Sequence, residues 1–501
     1  MHLSILLDMA ADGFGDRVGF GPRDRGLTYG SLHEDASRTA QWIARRPVER
    51  VGLVDTNSDV VPRLLFGASL AARPFAPINY RLADDRLRAI LARTAPSVVV
   101  VSEEIPGRVG AVDGVELVPR DRYLDEIAVE VRGSSPPASS DVEDPAILLF
   151  TSGTTGDPKA SVLRHRHLGS YVVSTVEFMG AAQDESALVS VPPYHIAGLS
   201  AVVTSVFAGR RVVYLPAFSA DSWVETVRQE SVTQAMVVPT MLDRILDILD
   251  DQDERLPDLR HIAYGGGKMP RVVIERALEQ LSHVDFVNAY GLTETSSTIS
   301  VLTPADHRSA VAAEDPVVRR RLASVGRPLP SVEVQIRDVD GVALPPNRPG
   351  EVWVRGEQVA GEYEGDSPSG RVDDWFATRD AGQLDEGGYL FLDGRLDDVI
   401  VRGAENLSPG EIEEVLLAHP AVVQAAVVGV PDVEWGEQVA AAVVVRPDSA
   451  VTEADLQRWV RERLRSSRTP VRIQFRAALP HNEMGKLLRR VLRDELAELV
   501  G

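Results

Sequence analysis

The chain has 501 residues, 44% hydrophobic and 25% charged, with a formal net charge of -21 and no cysteine. That length predicts two or more domains, and the negative charge disfavours nucleic acid as a partner. Without cysteine, a disulfide framework, a thiolate zinc site and a cysteine nucleophile are excluded.

Residues 1–17 carry no basic leader, and Asp8 and Asp12 break their apolar run, which reads as a helix of the mature protein and not as a signal peptide. Apolar periodicity (Leu32, Ala36, Ala40, Ile43) predicts a helix up to residue 44, and strands and helices then alternate. Strands are predicted over 51–54, 74–79 and 97–102, with helices over 60–72 and 84–93. This alternation argues for a parallel sheet covered on both faces. Residues 131–145, rich in Ser and Pro, read as a surface connection.

Residues 147–160, ILLFTSGTTGDPKA, run an apolar strand into hydroxyls, glycines and one lysine. Gly153 and Gly156 let backbone N–H groups converge on phosphoryl oxygens, Thr151, Ser152, Thr154 and Thr155 add hydroxyl donors, and Lys159 adds a charge. The spacing is not that of a Walker loop, in which Gly, four residues and Gly-Lys-Ser/Thr follow one another. A flexible linker would account for the composition but not for the strand before it or the lysine after it.

Beyond the cradle a helix is predicted around 167–178. Residues 186–209 carry no formal charge and are long enough to imitate a membrane span, but Pro192, Pro193, His195 and Gly198 interrupt them. A buried strand, a loop and a short core helix are the expectation, in a cytoplasmic protein without a transmembrane segment. Strands over 211–215, 234–238, 261–264 and 285–290 alternate with helices over 222–229, 239–249 and 269–281. Two of these strands run into glycines, at Gly265, Gly266 and Gly267 and at Gly291, where parallel sheets bind ligands. From residue 331 short alternating stretches suggest an antiparallel unit, and the last hundred or so residues could fold alone as an α+β domain.

The order Thr-Ser-Gly-Thr-Thr-Gly-x-Pro-Lys resembles the signature loop of the adenylate-forming superfamily, which includes acyl-CoA synthetases, peptide-synthetase adenylation domains and beetle luciferases. Six further stretches between residues 28 and 486 match that family in order, most closely its acyl-CoA synthetase branch. The resemblance implies an α/β fold: a large N-terminal domain, 1–396, of parallel-rich sheets covered by helices plus a distorted antiparallel unit, and a small mobile α+β domain, 397–501.

It also implies roles for single residues. His195, in PPYHIAGL, would line the carboxylate pocket; a core histidine is the alternative. Gly265 to Gly267 would lie against adenine, with Asn288 beside the nucleotide. In YGLTET, Tyr290 would stack on adenine, Gly291 would allow close approach, Thr293 would meet the α-phosphate and Glu294 would hold Mg²⁺. Asp380 would grip the ribose, although Arg379 stands where the family has glycine. Arg395 would be a second ribose contact and Asp397 the hinge. Lys486 would reach the acyl carboxylate and α-phosphate, neutralising charge in the transition state. Gly403, Trp435 and Arg468 would meet coenzyme A, against the alternative of a solvated basic face for Arg465, Arg468 and Arg472. Ala160 and Ala404 replace family glycines, and Met484 stands where the family usually has threonine.

The expected activity is therefore that of an ATP- and Mg²⁺-dependent acyl-CoA synthetase. It would convert a carboxylic acid to an acyl-adenylate and pyrophosphate, then to a thioester with release of AMP. The alternatives are an enzyme that loads an acyl carrier protein and, in another class, a nucleotide-binding sensor without catalysis. Pocket walls near His195, Val238, Tyr264, Leu292 and 296–298 are apolar or small, which suits a fatty or bulky alicyclic acid and disfavours an amino acid. A monomer or homodimer is expected.

Overall fold

The computed structural model describes every residue except 130–140, 152–158, 253–254, 366–370, 404, 448, 482–486 and 501. The valines of Ser97–Val101 are fully buried, as a strand covered on both faces requires. This strand lies between Val115–Pro119 and Arg50–Val54, all three parallel, and Phe75–Pro77 continues the sheet towards Pro145–Thr151, which leads to the cradle. Before the helix expected around 167–178, found at His165–Thr175, an unexpected strand, Lys159–Arg164, returns antiparallel along Pro145–Thr151 and completes a six-stranded sheet. Its six residues are too few for periodicity to separate strand from helix.

A nine-stranded sheet forms the second layer. Its parallel centre contains Asp285–Leu292, His261–Gly265, Gln234–Val237, Ser186–Val189 and Arg211–Tyr214. Because Asp285–Leu292 and His261–Gly265 are parallel neighbours, the two glycine-bearing turns that follow them come side by side. Asp285–Leu292 runs through Gly291, where the sequence reading ends it, and returns antiparallel as Ser297–Leu302. The largest core cluster takes Leu53 and Val100 from one sheet, Val189 and Val212 from the other, and Leu6, Leu64 and Val203 from helices. The charge-free stretch ends in a buried 13-residue helix, Ile196–Ala208, longer than expected. Among the described residues no helix is long and apolar enough to cross a membrane.

The predicted antiparallel unit is present: Glu333–Arg337, Gly350–Arg355, Trp375–Leu384 and Leu390–Arg395 pair in that order. After a short turn, Leu396–Asp398, a separate sheet begins at Ile400–Arg402. Its two longest strands, Val422–Asp432 and Gly436–Val445, pair as a hairpin. Both of its faces are buried, Val427, Val439, Ala441 and Val443 on one and Ala426, Val428, Ala440 and Ala442 on the other. Alternation therefore disappears from the sequence there. The terminal helix Arg489–Val500 covers the second face with Leu492 and Leu496.

Candidate active site

Residues scattered over more than 230 positions form two sets of contacts, joined through the backbone of residues 290–294. In the first, Lys159 begins its strand and places Nζ 5.5 Å from the centre of the Tyr363 ring. The Tyr363 hydroxyl donates to Glu294 Oε1 at 2.6 Å. Glu294 belongs to the turn Thr293–Thr295, which extends the strand containing Tyr290. The Tyr290 hydroxyl donates to Asp380 Oδ2 at 2.5 Å, and Arg395 Nε meets Asp380 Oδ1 at 2.9 Å. Burial, and then the Asp380 charge, push the Tyr290 phenol well above its ordinary range, so it is a fixed donor.

Asp380 and Arg395 are opposite each other on paired strands. Thr378 anchors both: its hydroxyl donates to the Val352 carbonyl and accepts from the Asp380 N–H, and its carbonyl accepts from Arg395 Nη1 at 2.8 Å. Arg379, in place of a glycine, adopts φ +64°, the left-handed backbone that glycine favours. The turn is thus formed with an arginine in it, and that side chain reaches out to Asp397 Oδ1 at 2.8 Å.

The glycines divide by what requires them. A Cβ on Gly265 would sit 2.3 Å from the Ala289 carbonyl, and one on Gly291 would sit 1.8 Å from that of Ser297, so packing between strands excludes side chains at both. Gly267 would meet only Pro239, at an ordinary 3.8 Å, which leaves its exposed backbone face open. The Asn288 amide is buried and donates to the Ser324 carbonyl at 3.2 Å. Thr293 is half-buried at the start of its turn.

His195 is the N-cap residue of Ile196–Ala208, its ring 4.5 Å from that of Tyr194. Burial, with a smaller push from the Arg81 charge, lowers its imidazole to about 4. It is neutral at physiological pH, which suits a pocket wall and not a cation that pairs with a carboxylate. Tyr264 is a correction: the ring expected in the pocket wall is fully buried in the core, its hydroxyl 2.8 Å from His307 Nε2.

On the C-terminal sheet Gly403 and Trp435 come together, the Gly403 N–H donating to the Trp435 carbonyl at 2.7 Å. Arg402 lies 5.0 Å from the indole, which is 44% exposed. Arg468 is held on another element, its Nε donating to Glu411 at 2.7 Å, and Arg472 faces Glu453. Those pairings favour the reading of a structural basic face over phosphate contacts at these two arginines. Ser152, Gly153, Thr154, Thr155, Gly156 and Lys486 lie outside the described residues, as does the Thr151 side chain, although its backbone ends the strand Pro145–Thr151.

Glu294 fits magnesium. Among the described residues no group of three or more His, Asp or Glu could cage a metal. A single carboxylate is what Mg²⁺ uses when it keeps its waters and shares substrate phosphates, whereas zinc would need three or four protein ligands. The sequence reading missed Tyr363, which touches both Lys159 and Glu294. It lies between two acids in GEYEG, a composition that reads as solvated loop.

Residues 7–364 match the AMP-binding enzyme family and residues 411–486 match the AMP-binding enzyme C-terminal domain. A fatty acid–[acyl-carrier-protein] ligase, ScoC, of Streptomyces coeruleorubidus is 33% identical over 94% of this chain and 92% of its own. A 2-succinylbenzoate–CoA ligase of Bacillus cereus is 31% identical over 97% and 96%. The solved structure of O-succinylbenzoate coenzyme A synthetase from Bacillus subtilis, in complex with ATP and magnesium ion, superposes with a TM-score of 0.84 at 28% identity, covering 98% of this chain and 99% of that one. With a family match over most of its length and relatives above 30% identity along nearly all of it, the chain belongs to the AMP-binding enzyme family.

Proposed function

We propose that this chain is an AMP-forming acid–thiol ligase that activates a carboxylic acid with ATP and Mg²⁺ and passes the acyl group to coenzyme A. The observation that supports this reading is two sets of contacts, Lys159 with Tyr363 and Glu294, and Tyr290 with Asp380 and Arg395, joined through the backbone of residues 290–294. In this reading Lys159 serves phosphate, Glu294 serves the metal and Asp380 serves the ribose hydroxyls. The carboxylate substrate attacks the α-phosphorus and pyrophosphate leaves; the protein supplies positioning and charge neutralisation. The acceptor thiol then attacks the acyl carbonyl carbon and AMP leaves, so the chain needs no nucleophile of its own.

Lys486 serves adenylation and the Gly403–Trp435 corner serves the acceptor, both on a unit that begins at 397 and turns about Asp397. Neutral His195 and the small residues 296–298 suit a fatty or alicyclic acid. A carrier-protein thiol is the second acceptor reading, favoured by the likeness to ScoC.

Screening carboxylic acids for pyrophosphate release tests the first step. Release with fatty or alicyclic acids, abolished by excess EDTA, is expected; release with amino acids alone, or full activity in EDTA, would overturn the reading. Supplying coenzyme A or a phosphopantetheinylated carrier to preformed acyl-adenylate then distinguishes the acceptors.

A further inference from the structure

Residues 360–364 belong to no motif that the sequence analysis singles out, yet they bind both sides of the nucleotide site together. The Ala360 and Gly361 N–H groups donate to the Glu294 carbonyl at 2.8 and 3.1 Å. A few residues on, the Glu364 N–H donates to the Ala160 carbonyl and the Val162 N–H to the Glu362 carbonyl, both at 2.9 Å, with Tyr363 opposite Ser161. One short stretch of backbone thus joins the turn bearing Glu294, at the end of the nine-stranded sheet, to the strand that begins with Lys159 in the six-stranded one.

Side chains in such an extended segment alternate in direction. Glu362 takes Arg164 Nε and Nη2 at 2.9 and 2.6 Å, a two-armed pair, and Glu364 takes Arg50 Nη2 at 2.6 Å. These pairs fix the residues on either side of Tyr363 and set its direction. Its hydroxyl bonds Glu294 Oε1 and its ring lies against the Lys159 ammonium.

We propose that Tyr363 is the positioning residue of the metal–phosphate half of the site. By occupying Oε1 it fixes the rotation of the Glu294 carboxylate and leaves Oε2 for Mg²⁺, and its ring holds the Lys159 charge beside the same phosphates. The proposal rests on the adenylating reading above. Hydrogen bonds to charged groups are among the stronger ones, so losing the hydroxyl should weaken metal-dependent nucleotide binding about tenfold.

The test measures binding as well as turnover. Calorimetric titration with α,β-methylene-ATP over a range of Mg²⁺ concentrations, and with AMP without metal, compares wild type with Tyr363→Phe. The half-saturating Mg²⁺ concentration should rise about tenfold in the variant while AMP affinity stays within about twofold. A double variant, Glu362→Gln with Glu364→Gln, loosens the flanking pairs without touching Tyr363. It should move the Mg²⁺ requirement in the same direction by about threefold, and it decides the matter if Tyr363→Phe does not fold. Equal Mg²⁺ requirements in wild type and variants, or analogue and AMP affinities that fall together, would overturn the role given to Tyr363. A wild type whose analogue binding ignores Mg²⁺ would instead overturn the functional reading.

Discussion

Around Asp380 each carboxylate oxygen is engaged: Tyr290 holds one, Arg395 holds the other, and Thr378 fixes the backbone on which the two meet. At Trp435 the indole is 44% exposed with the Arg402 guanidinium 5.0 Å from its ring, while the backbone carbonyl accepts from the Gly403 N–H and the backbone N–H donates to Asp432 Oδ1. The proposed function accounts for the difference. Nucleotide activation gains from groups that need no rearrangement when charge develops. An acceptor corner must admit a long thiol-bearing arm and then release it, and deep bracing would oppose that. The unit bearing the corner meets the rest of the chain through polar contacts such as these: Ser408 donates to the Asp393 carbonyl, and Lys268 pairs with Glu414 across half-exposed side chains.

The sharpest way to break this contrast is Asp380→Ala. It would leave the Arg395 guanidinium and the Tyr290 hydroxyl without the partner that both share. In the proposed function Asp380 accepts from the ribose hydroxyls, and charge-assisted hydrogen bonds are worth about 1.5–3 kcal/mol each, so ATP and AMP affinity should fall by about two orders of magnitude. Asp380→Asn keeps the shape and should retain part of the binding. If Asp380→Ala changes AMP affinity less than about threefold, the braced half is not the nucleotide half.

Acid should also separate the two regions. Burial holds His165 and His167 at about 3. Geometry agrees: His165 Nδ1 accepts from the Leu3 N–H and His167 Nδ1 accepts from the Arg164 N–H, which a protonated ring cannot do. Folded histidines that refuse a proton, while unfolded ones take it, give stability that is complete above about pH 6.5 and lost as the pH falls towards 3. By pH 5 the loss is about 2 kcal/mol for each ring. His33, raised by its bond to Asp8, acts in the opposite sense, but it is partly exposed and offsets little. Hydrogen exchange at pH 5 should therefore show the N-terminal helices and the 159–164 strand loosening before the hairpin Val422–Asp432. Loosening in the reverse order would contradict this.

Lys486→Ala is expected to slow adenylate formation about a hundredfold while thioester formation from supplied acyl-adenylate stays within a few-fold, measured by single-turnover kinetics. Equal losses in both half-reactions would remove the division of labour on the C-terminal unit.

What could be read in the sequence depended on whether a feature leaves a local trace. Ser97–Val101 and Asp84–Arg93 are legible because burial on both faces, or on one stripe, writes itself into residue order. The turn of Tyr290 to Thr295 is legible because its residue types and spacing are unusual. Tyr363 is not, since its meaning lies in Glu294, 69 positions away. Tyr264 was misread for a related reason: its place before three glycines points to a pocket, but the strand's alternation turns the ring into the core against His307.

The smallest expected effect concerns Arg379, and it bears most directly on how the second unit is held. A non-glycine residue at φ +64° costs of order 1 kcal/mol, and an ion pair with side chains 61% and 41% exposed returns at most about that much. Arg379→Gly should therefore leave the melting temperature within about two degrees of wild type. Its partner, however, is Asp397, in the turn about which the C-terminal unit is proposed to rotate. Releasing that contact favours departure from the arrangement seen here by up to about 1 kcal/mol, a factor of about five in an equilibrium. The rate of transfer from adenylate to thiol should change by two- to fivefold, and Asp397→Asn, which removes the charge and keeps the backbone, should reproduce the change. High salt should reproduce it in wild type and have little effect on either variant, because an exposed pair is screened. If salt alters all three proteins alike, Arg379 merely occupies the place of a glycine and the clasp on the turn has no part in the exchange between half-reactions.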